Sequence, residues 1–358
     1  MDRNHTTNQQ DTAVRDRRKR LLWSLLSALI AVLTVWAVTS QAKGFSFRAL
    51  RDCLAEADPI WMLLAFAGML GFIFFEGCAL RSACNALQYP TTLRAGVAYS
   101  AADIYFSAIT PSASGGQPAC ALLMRRGGIP GCVAAPVLML TLMMYTLAII
   151  VIGVLCFVFF PSVFLSFGPF ARLLILLGSL VQLVLVLVFY LLFSSKDLLK
   201  KICVGLLRLL ARLHLIRRPE AREERLLRTM DEYRRRAALL SGHRSMLLRS
   251  FLFNLLQRVS AISVSMFVFL ALGGKASFAP RVFAMQSFVV LGSNTVPIPG
   301  AMGVSDYLML EGFEAFLPPE RVVQMELVSR SVSFYCCVLL CGLIVLLASR
   351  KKRKGDLS

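Results

Sequence analysis

Histidine is rare in this chain, and acidic side chains are scarcer than basic ones: three His, and 20 Asp and Glu against 39 Lys and Arg in 358 residues. Charged residues make up only 16%, well below the roughly 25% of soluble domains. Hydrophobic residues make up 57%, and mean hydropathy is +0.68, which excludes an ordinary soluble domain. No Gly-x-Ser-x-Gly elbow, His-Glu-x-x-His pair or phosphate-loop lysine motif occurs, and no histidine lies inside an apolar run. The usual constellations for nucleophilic, zinc-dependent and nucleotide chemistry are therefore missing. The ten cysteines contain no Cys-x-x-Cys pair. Most of them (Cys78, Cys84, Cys120, Cys132, Cys156, Cys336, Cys337, Cys341) lie in or beside apolar runs and read as small packing residues. No metal and no cofactor is expected.

What the chain has in abundance is apolar length. Windows near 21–40, 60–80, 132–160, 171–193, 248–272 and 324–348 are long enough to cross about 30 Å of hydrocarbon. The first is too long for a signal-peptide core and lacks a small-residue cleavage pattern. It reads as an uncleaved span whose basic preface, Arg15 to Arg20, stays in the cytoplasm. Two shorter apolar segments, about 96–124 and 282–316, are interrupted. The first break reads Thr110-Pro111-Ser112-Ala113-Ser114-Gly115-Gly116-Gln117-Pro118, and the second Val296-Pro297-Ile298-Pro299-Gly300-Ala301-Met302-Gly303-Val304-Ser305-Asp306. Broken backbone at membrane depth is tolerated only where protein or a polar cavity satisfies its N–H and C=O groups. Paired breaks in two halves point to a transporter-type site.

Treated as re-entrant hairpins, the first opens to the cytoplasm and the second to the exterior. About 30 of the 39 basic residues then lie on the cytoplasmic side, as the positive-inside rule demands. The expected fold is an all-α polytopic membrane protein with about six spanning helices, two oppositely oriented re-entrant hairpins and an inverted repeat. The organisation is a cytoplasmic basic N-terminus (1–20), a first membrane half (21–194), a cytoplasmic segment (195–249), a second membrane half (250–349) and a basic cytoplasmic tail (350–358). In the 195–249 segment, Leu198, Leu199, Ile202, Leu206, Leu209, Leu210 and Leu213 oppose Lys196, Lys200, Lys201, Arg208 and Arg212, the pattern of a basic helix on an anionic leaflet. A second helix, roughly Glu220–Leu240, is too charged to insert. Its acids and lack of interleaved aromatics argue against nucleic acid.

Ionisable side chains at membrane depth are costly and default to functional candidates. These are Glu76, Arg81 and Asp103 near the first hairpin, read as charge-pairing or proton-coupling groups, and Arg258, Asp306, Glu311 and Arg330 near the second. The plain reading is ion pairs that fix the bundle, and Arg81 and Glu311 suit the interface. The functional reading is a polar cavity in which Arg258 and Arg330 hold a lipid phosphate, since guanidinium suits bidentate phosphate contact. A helix starting after Ser112–Gly116 would aim free N–H groups at an anion. Pro111 and Gly115 with Gly116 would shape that turn, and Ser112, Ser114 and Gln117 would donate. Pro297, Pro299, Gly300, Gly303, Asn294 and Ser305 would do the same from the other side.

The run Ile109 to Pro118, followed by Leu122-Leu123-Met124-Arg125-Arg126-Gly127-Gly128-Ile129-Pro130, resembles the membrane region of lysylphosphatidylglycerol synthases, the flippase-like or multiple-peptide-resistance family. Pro297 to Asp306 resembles that family's second signature, with Ala301 in place of a glycine and Asp306 in place of the usual glutamate. Arg330 falls where the family's last span carries an arginine. The resemblance covers about residues 20–350. It implies a flippase of the cytoplasmic membrane, both termini cytoplasmic, moving phosphatidylglycerol or its aminoacylated derivative, or a polyprenyl-phosphate lipid, and linked to cationic-peptide resistance. Full-length members carry a further C-terminal domain that moves lysine from lysyl-tRNA to phosphatidylglycerol. The sequence stops at Ser358, so no catalytic residue is expected here. The alternative readings are that lysyltransferase itself and a membrane partner, in a homo-oligomer or with a separate synthase.

Overall fold

The computed structural model describes residues 47–110, 113–194, 204–205, 219–294, 303–314 and 317–355. The chain divides after Phe45, and everything below concerns the second unit. The expected N-terminus and first span (21–40), and nearly all of the expected amphipathic helix at 196–213, lie outside the described residues.

Among the described residues the long elements are all helices. In order they are α1 (Phe47–Glu56), α2 (Pro59–Ala86), α3 (Leu93–Ile109), α4 (Gly116–Arg126), α5 (Gly131–Phe159), α6 (Pro161–Ser166), α7 (Pro169–Ser194), α8 (Pro219–Gly242), α9 (Arg244–Ala271), α10 (Ala279–Ser293), α11 (Val304–Glu314), α12 (Pro319–Arg330) and α13 (Cys337–Gly355). A π-helical turn, Ser331–Cys336, joins the last two. Among the described residues, five runs are long and apolar enough to cross a membrane: α2, α5, α7, α9 and the continuous stretch Glu320–Ser349. This is an all-α polytopic membrane protein. Starts follow local chemistry. Asp58 accepts the Ile60 N–H at 2.8 Å ahead of Pro59, and Thr92 caps α3 through the Ala95 N–H, each satisfying an otherwise orphaned donor.

The element lengths repeat. Helices of 28, 17, 11 and 29 residues (α2 to α5) are followed, after α6, α7 and α8, by helices of 28, 15 and 11 residues and the 30-residue run. Each 11-residue helix is only about 16 Å long, too short to cross. The members of each short pair, α3 with α4 and α10 with α11, pack on one another. The leading helices of the two halves, α2 and α9, form the main seam and run antiparallel. The Asp58 N–H donates to the Ala271 carbonyl at 2.8 Å, Trp61 stacks on Phe267, Gly71 faces Ser260 and Glu76 meets Gln257. As the number rises along α2 it falls along α9. The base of the first short pair therefore lies at the C-terminal end of α2, and the base of the second at the C-terminal end of α9, the opposite end of the bundle.

Small residues let these helices close, as is usual where lipid gives no hydrophobic drive to association. A Cβ on Gly77 would stand 2.8 Å from the Val97 nitrogen, and one on Gly96 would stand 2.5 Å from the Gly77 carbonyl oxygen. The charged helix α8 does more than lie on a surface. Tyr233, Ala237 and Leu240 form a buried stripe packed on α5, with the Tyr233 hydroxyl 3.0 Å from Met139 Sδ. By contrast α7 exposes Leu173, Leu176, Leu180, Leu183 and Leu187, as a lipid-facing span does. Gly77→Val should cost about 1–3 kcal/mol through forced separation of α2 and α3. Gly131→Ala, where an added Cβ meets nothing within 4 Å, should be neutral. Thermal unfolding in detergent reads both.

Candidate functional site

At the first break, α3 ends with Thr110 in an extended conformation. Its hydroxyl staples the turn, donating to the Phe106 carbonyl at 2.6 Å and accepting the Gly115 N–H at 2.9 Å. Ala113 adopts φ +52°, in the left-handed region. Helix α4 then starts with no side-chain cap, so its first N–H groups and positive dipole end face inward. That end is occupied by the chain itself. A Cβ on Gly116 would collide with the Asp103 carboxylate and the Ser107 hydroxyl, and Gln117 Nε2 donates to Asp103 Oδ2 at 2.8 Å. Where the sequence suggests a ligand anion, the structure places Asp103.

Asp103 is one of a buried group. Glu76, 6% exposed, stands close enough to it for each carboxyl to act on the other, and it accepts a hydrogen bond from Gln257 Nε2 at 2.9 Å. Two buried carboxyls this close are unfavourable as two charges, and one proton between them removes the conflict. The Arg258 guanidinium, also buried, interacts with the Glu76 charge. It lies over the rings of Tyr145 at 4.2 Å and Phe72 at 4.9 Å, with Nη1 3.4 Å from the Tyr145 hydroxyl. Stacking on aromatic faces holds a guanidinium in apolar surroundings. With one shared proton the group is neutral: a protonated carboxyl pair bearing one negative charge, and one arginine.

The second break has the same chemistry in a looser setting. Gly303 takes φ +84°, a conformation favouring glycine, and its N–H donates to Asp306 Oδ2 at 3.2 Å. Asp306 forms an ion pair with Arg330, which also meets Glu326 at 3.4 Å. The Arg330 and Asp306 side chains are 25% and 32% exposed. Arg330 is the last residue before the π-helical turn, a feature frequent at functional sites.

Pro111, Ser112, Pro297, Pro299 and Gly300 lie outside the described residues. Arg81 does not join the carboxyl pair through a hydrogen bond of its own: its Nε donates to the Thr91 carbonyl at 3.1 Å, pinning the α2–α3 loop. Glu311 ties α11 to the α6–α7 turn, accepting the Gly168 N–H at 2.8 Å. Gln257, Tyr145, Phe72 and Glu326 were not singled out by sequence. Only Glu326, four residues before Arg330, carried a readable signal, as an i,i+4 pair. At the base of the first short pair is a cavity of about 1240 Å³, larger than the ~300–1,000 Å³ of ordinary small-molecule pockets. Tyr89, Arg94, Tyr99, Arg126, Ile344 and Leu347 are among its lining residues, and no acidic residue lines it.

Two pairs of short helices, based at opposite ends of the α2–α9 seam and each beside carboxyl and guanidinium groups, mark a polytopic membrane protein with two polar sites. The chain matches the family described as Lysylphosphatidylglycerol synthase TM region over residues 23–341, and it belongs to that family. No curated protein matches it. For the second site, a double-mutant cycle of Asp306→Asn and Arg330→Gln should give a coupling of about 1 kcal/mol. This is the low part of the range for contacting charges, because both side chains are partly solvated. Denaturation of the four proteins in detergent measures it.

Proposed function

We propose that the protein moves an aminoacylated phospholipid of the lysyl-phosphatidylglycerol type between the leaflets of the cytoplasmic membrane. The observation that carries this reading is that each broken helix stands beside two carboxyls and one arginine: Glu76 and Asp103 with Arg258 from the leading helix of the other half, and Asp306, Glu326 and Arg330. Each set has one carboxylate more than it has guanidinium. An uncompensated carboxylate at membrane depth costs several kcal/mol, so each set holds either a proton or a cationic group. The ammonium groups of a lysyl headgroup meet that need, and its phosphate suits Arg258 and Arg330.

The cavity at the base of the first short pair supplies a place for the lipid to load. Its apolar wall suits acyl chains, and Arg94 and Arg126 suit the phosphate. The basic residues of the loops and of α8 support a cytoplasmic side for this end of the bundle under the positive-inside rule. Glu76 and Asp103 would exchange their shared proton for the headgroup ammonium, and Asp306 would receive the ammonium at the opposite end. The hairpins carry only the headgroup, while the acyl chains stay in the bilayer.

The test is leaflet exchange in proteoliposomes. Wild-type protein should accelerate exchange of fluorescent lysyl-phosphatidylglycerol. Asp103→Asn and Asp306→Asn should each lose most of that acceleration while remaining folded. Arg94→Gln with Arg126→Gln should slow exchange at low lipid fraction and recover at high fraction. A wild-type protein that accelerates neither this lipid, phosphatidylglycerol nor a polyprenyl phosphate sinks the reading.

A further inference from the structure

Among the described residues, six buried polar atoms without a hydrogen-bond partner belong to α3, α7, α10, α11 and α12, and on the two seam helices such atoms fall on one side of Glu76. On α9 they are Ser250 Oγ, Asn254 Oδ1, Gln257 Oε1 and Arg258 Nε, and on α2 Ser82 Oγ. Ser250 and Asn254 have no exposed surface, and Gln257 is 2% exposed. These atoms form a file. Residues 250, 254 and 257 recur at the spacing that stacks side chains on one helical face. The antiparallel register that sets Gln257 beside Glu76 brings Ser82 to the level of Ser250. From Ser250 to Gln257 the file covers about 10 Å, and it ends where Gln257 Nε2 donates to Glu76. Beyond Arg258 on α9, and on the N-terminal side of Glu76 on α2, no such atom occurs among the described residues.

Unpartnered polar atoms in an apolar interior are strongly unfavourable when dry, and polar cavities between such groups are where ordered water resides. We propose that this file is a hydrated proton path joining the α8 end of the bundle to the Glu76–Asp103 pair and closed toward the other end. A proton enters from water near the start of α9 and passes along waters held by Ser82, Ser250, Asn254 and Gln257. It neutralises one carboxyl of the pair, and it leaves by the reverse route. None of the relay side chains changes charge. The Arg258 guanidinium, held between Tyr145 and Phe72, repels protons from going further, the role an arginine plays in proton-excluding pores. The other titratable groups that face the pair are the thiols of Cys120 on α4 and Cys341 on α13.

The test uses dicyclohexylcarbodiimide, which reacts with protonated carboxyls in apolar surroundings, on the full chain in right-side-out and inside-out membrane vesicles. Protease cleavage of α8 in the same vesicles reports which face it occupies. Mass spectrometry of the Glu76 and Asp103 peptides reads the labelling. In the wild type, labelling should fall when the α8 side is made alkaline and should ignore the pH of the opposite side. Asn254→Leu should abolish the response to the α8 side, and Ser82→Ala with Ser250→Ala should weaken it, whereas Ser263→Ala, beyond the file, should leave it intact. Labelling that follows the opposite side, that persists unchanged in Asn254→Leu, or that never occurs at either carboxyl overturns the proposal. The proposal rests on the carboxyl pair and not on the cargo. A protein that labels as expected yet moves no lipid refutes the transport reading alone.

Discussion

A carboxyl buried in the seam between two antiparallel helices is the constraint on which the rest of this structure turns. Glu76 lies in α2 where α9 passes closest, and a charge there must be neutralised by neighbours or by a proton, because neither water nor lipid can do it. The neighbours come from different elements: Gln257 and Arg258 from α9, Asp103 from α3. Their meeting depends on close helix approach. That in turn depends on Gly68 and Gly71 against Ser260, and on Gly77 against Gly96. Packing and electrostatics thus support each other. The small residues bring the charges within range, and the charges fix the register in which those residues interlock.

The two halves share an element order but not a state. Around the first break, Glu76 and Arg258 are buried and the helix end is filled by Asp103. Around the second, Arg330 and Asp306 retain a quarter to a third of their side-chain exposure. On the proposed transport reading, one closed and one open site at opposite ends of the bundle is the arrangement that alternating access requires of a single conformation. The π-helical turn after Arg330 fits the same picture. A turn of irregular hydrogen bonding in an otherwise continuous 30-residue span is where that span can shift against its neighbours.

Much of this was legible in the sequence because bilayer physics leaves few options. Apolar length located the five described spans to within six residues at every end. Proline and glycine at 110–118 marked the end of α3 and the start of α4, since only a protein-lined break escapes the cost of unpaired backbone. Asp103, Arg258, Asp306 and Arg330 stood out as ions in apolar runs. What stayed hidden was partnership across the fold. Gln257 is one of several amides on apolar helices until α2 is laid beside it, and Tyr145 and Phe72 look like any aromatics in a span. The charges of α8 suggested a surface helix, because a stripe of only Tyr233, Ala237 and Leu240 is too thin to declare its docking on α5.

If the protein moves lipid as proposed, the least expected arrangement, Asp103 at the positive end of α4, narrows the cargo. A phosphate attracted to that helix end must displace the carboxylate already there. Once displaced, Asp103 loses Gln117 and the dipole, and in apolar surroundings it then requires a proton or a cation of its own. An anionic lipid would satisfy the helix and strand the carboxylate, and a purely cationic one would do the reverse. A headgroup that bears a phosphate and an ammonium on the same short frame answers both demands in one step. Within the proposed transport reading, the chemistry of this single contact favours an aminoacylated phospholipid over its unmodified parent.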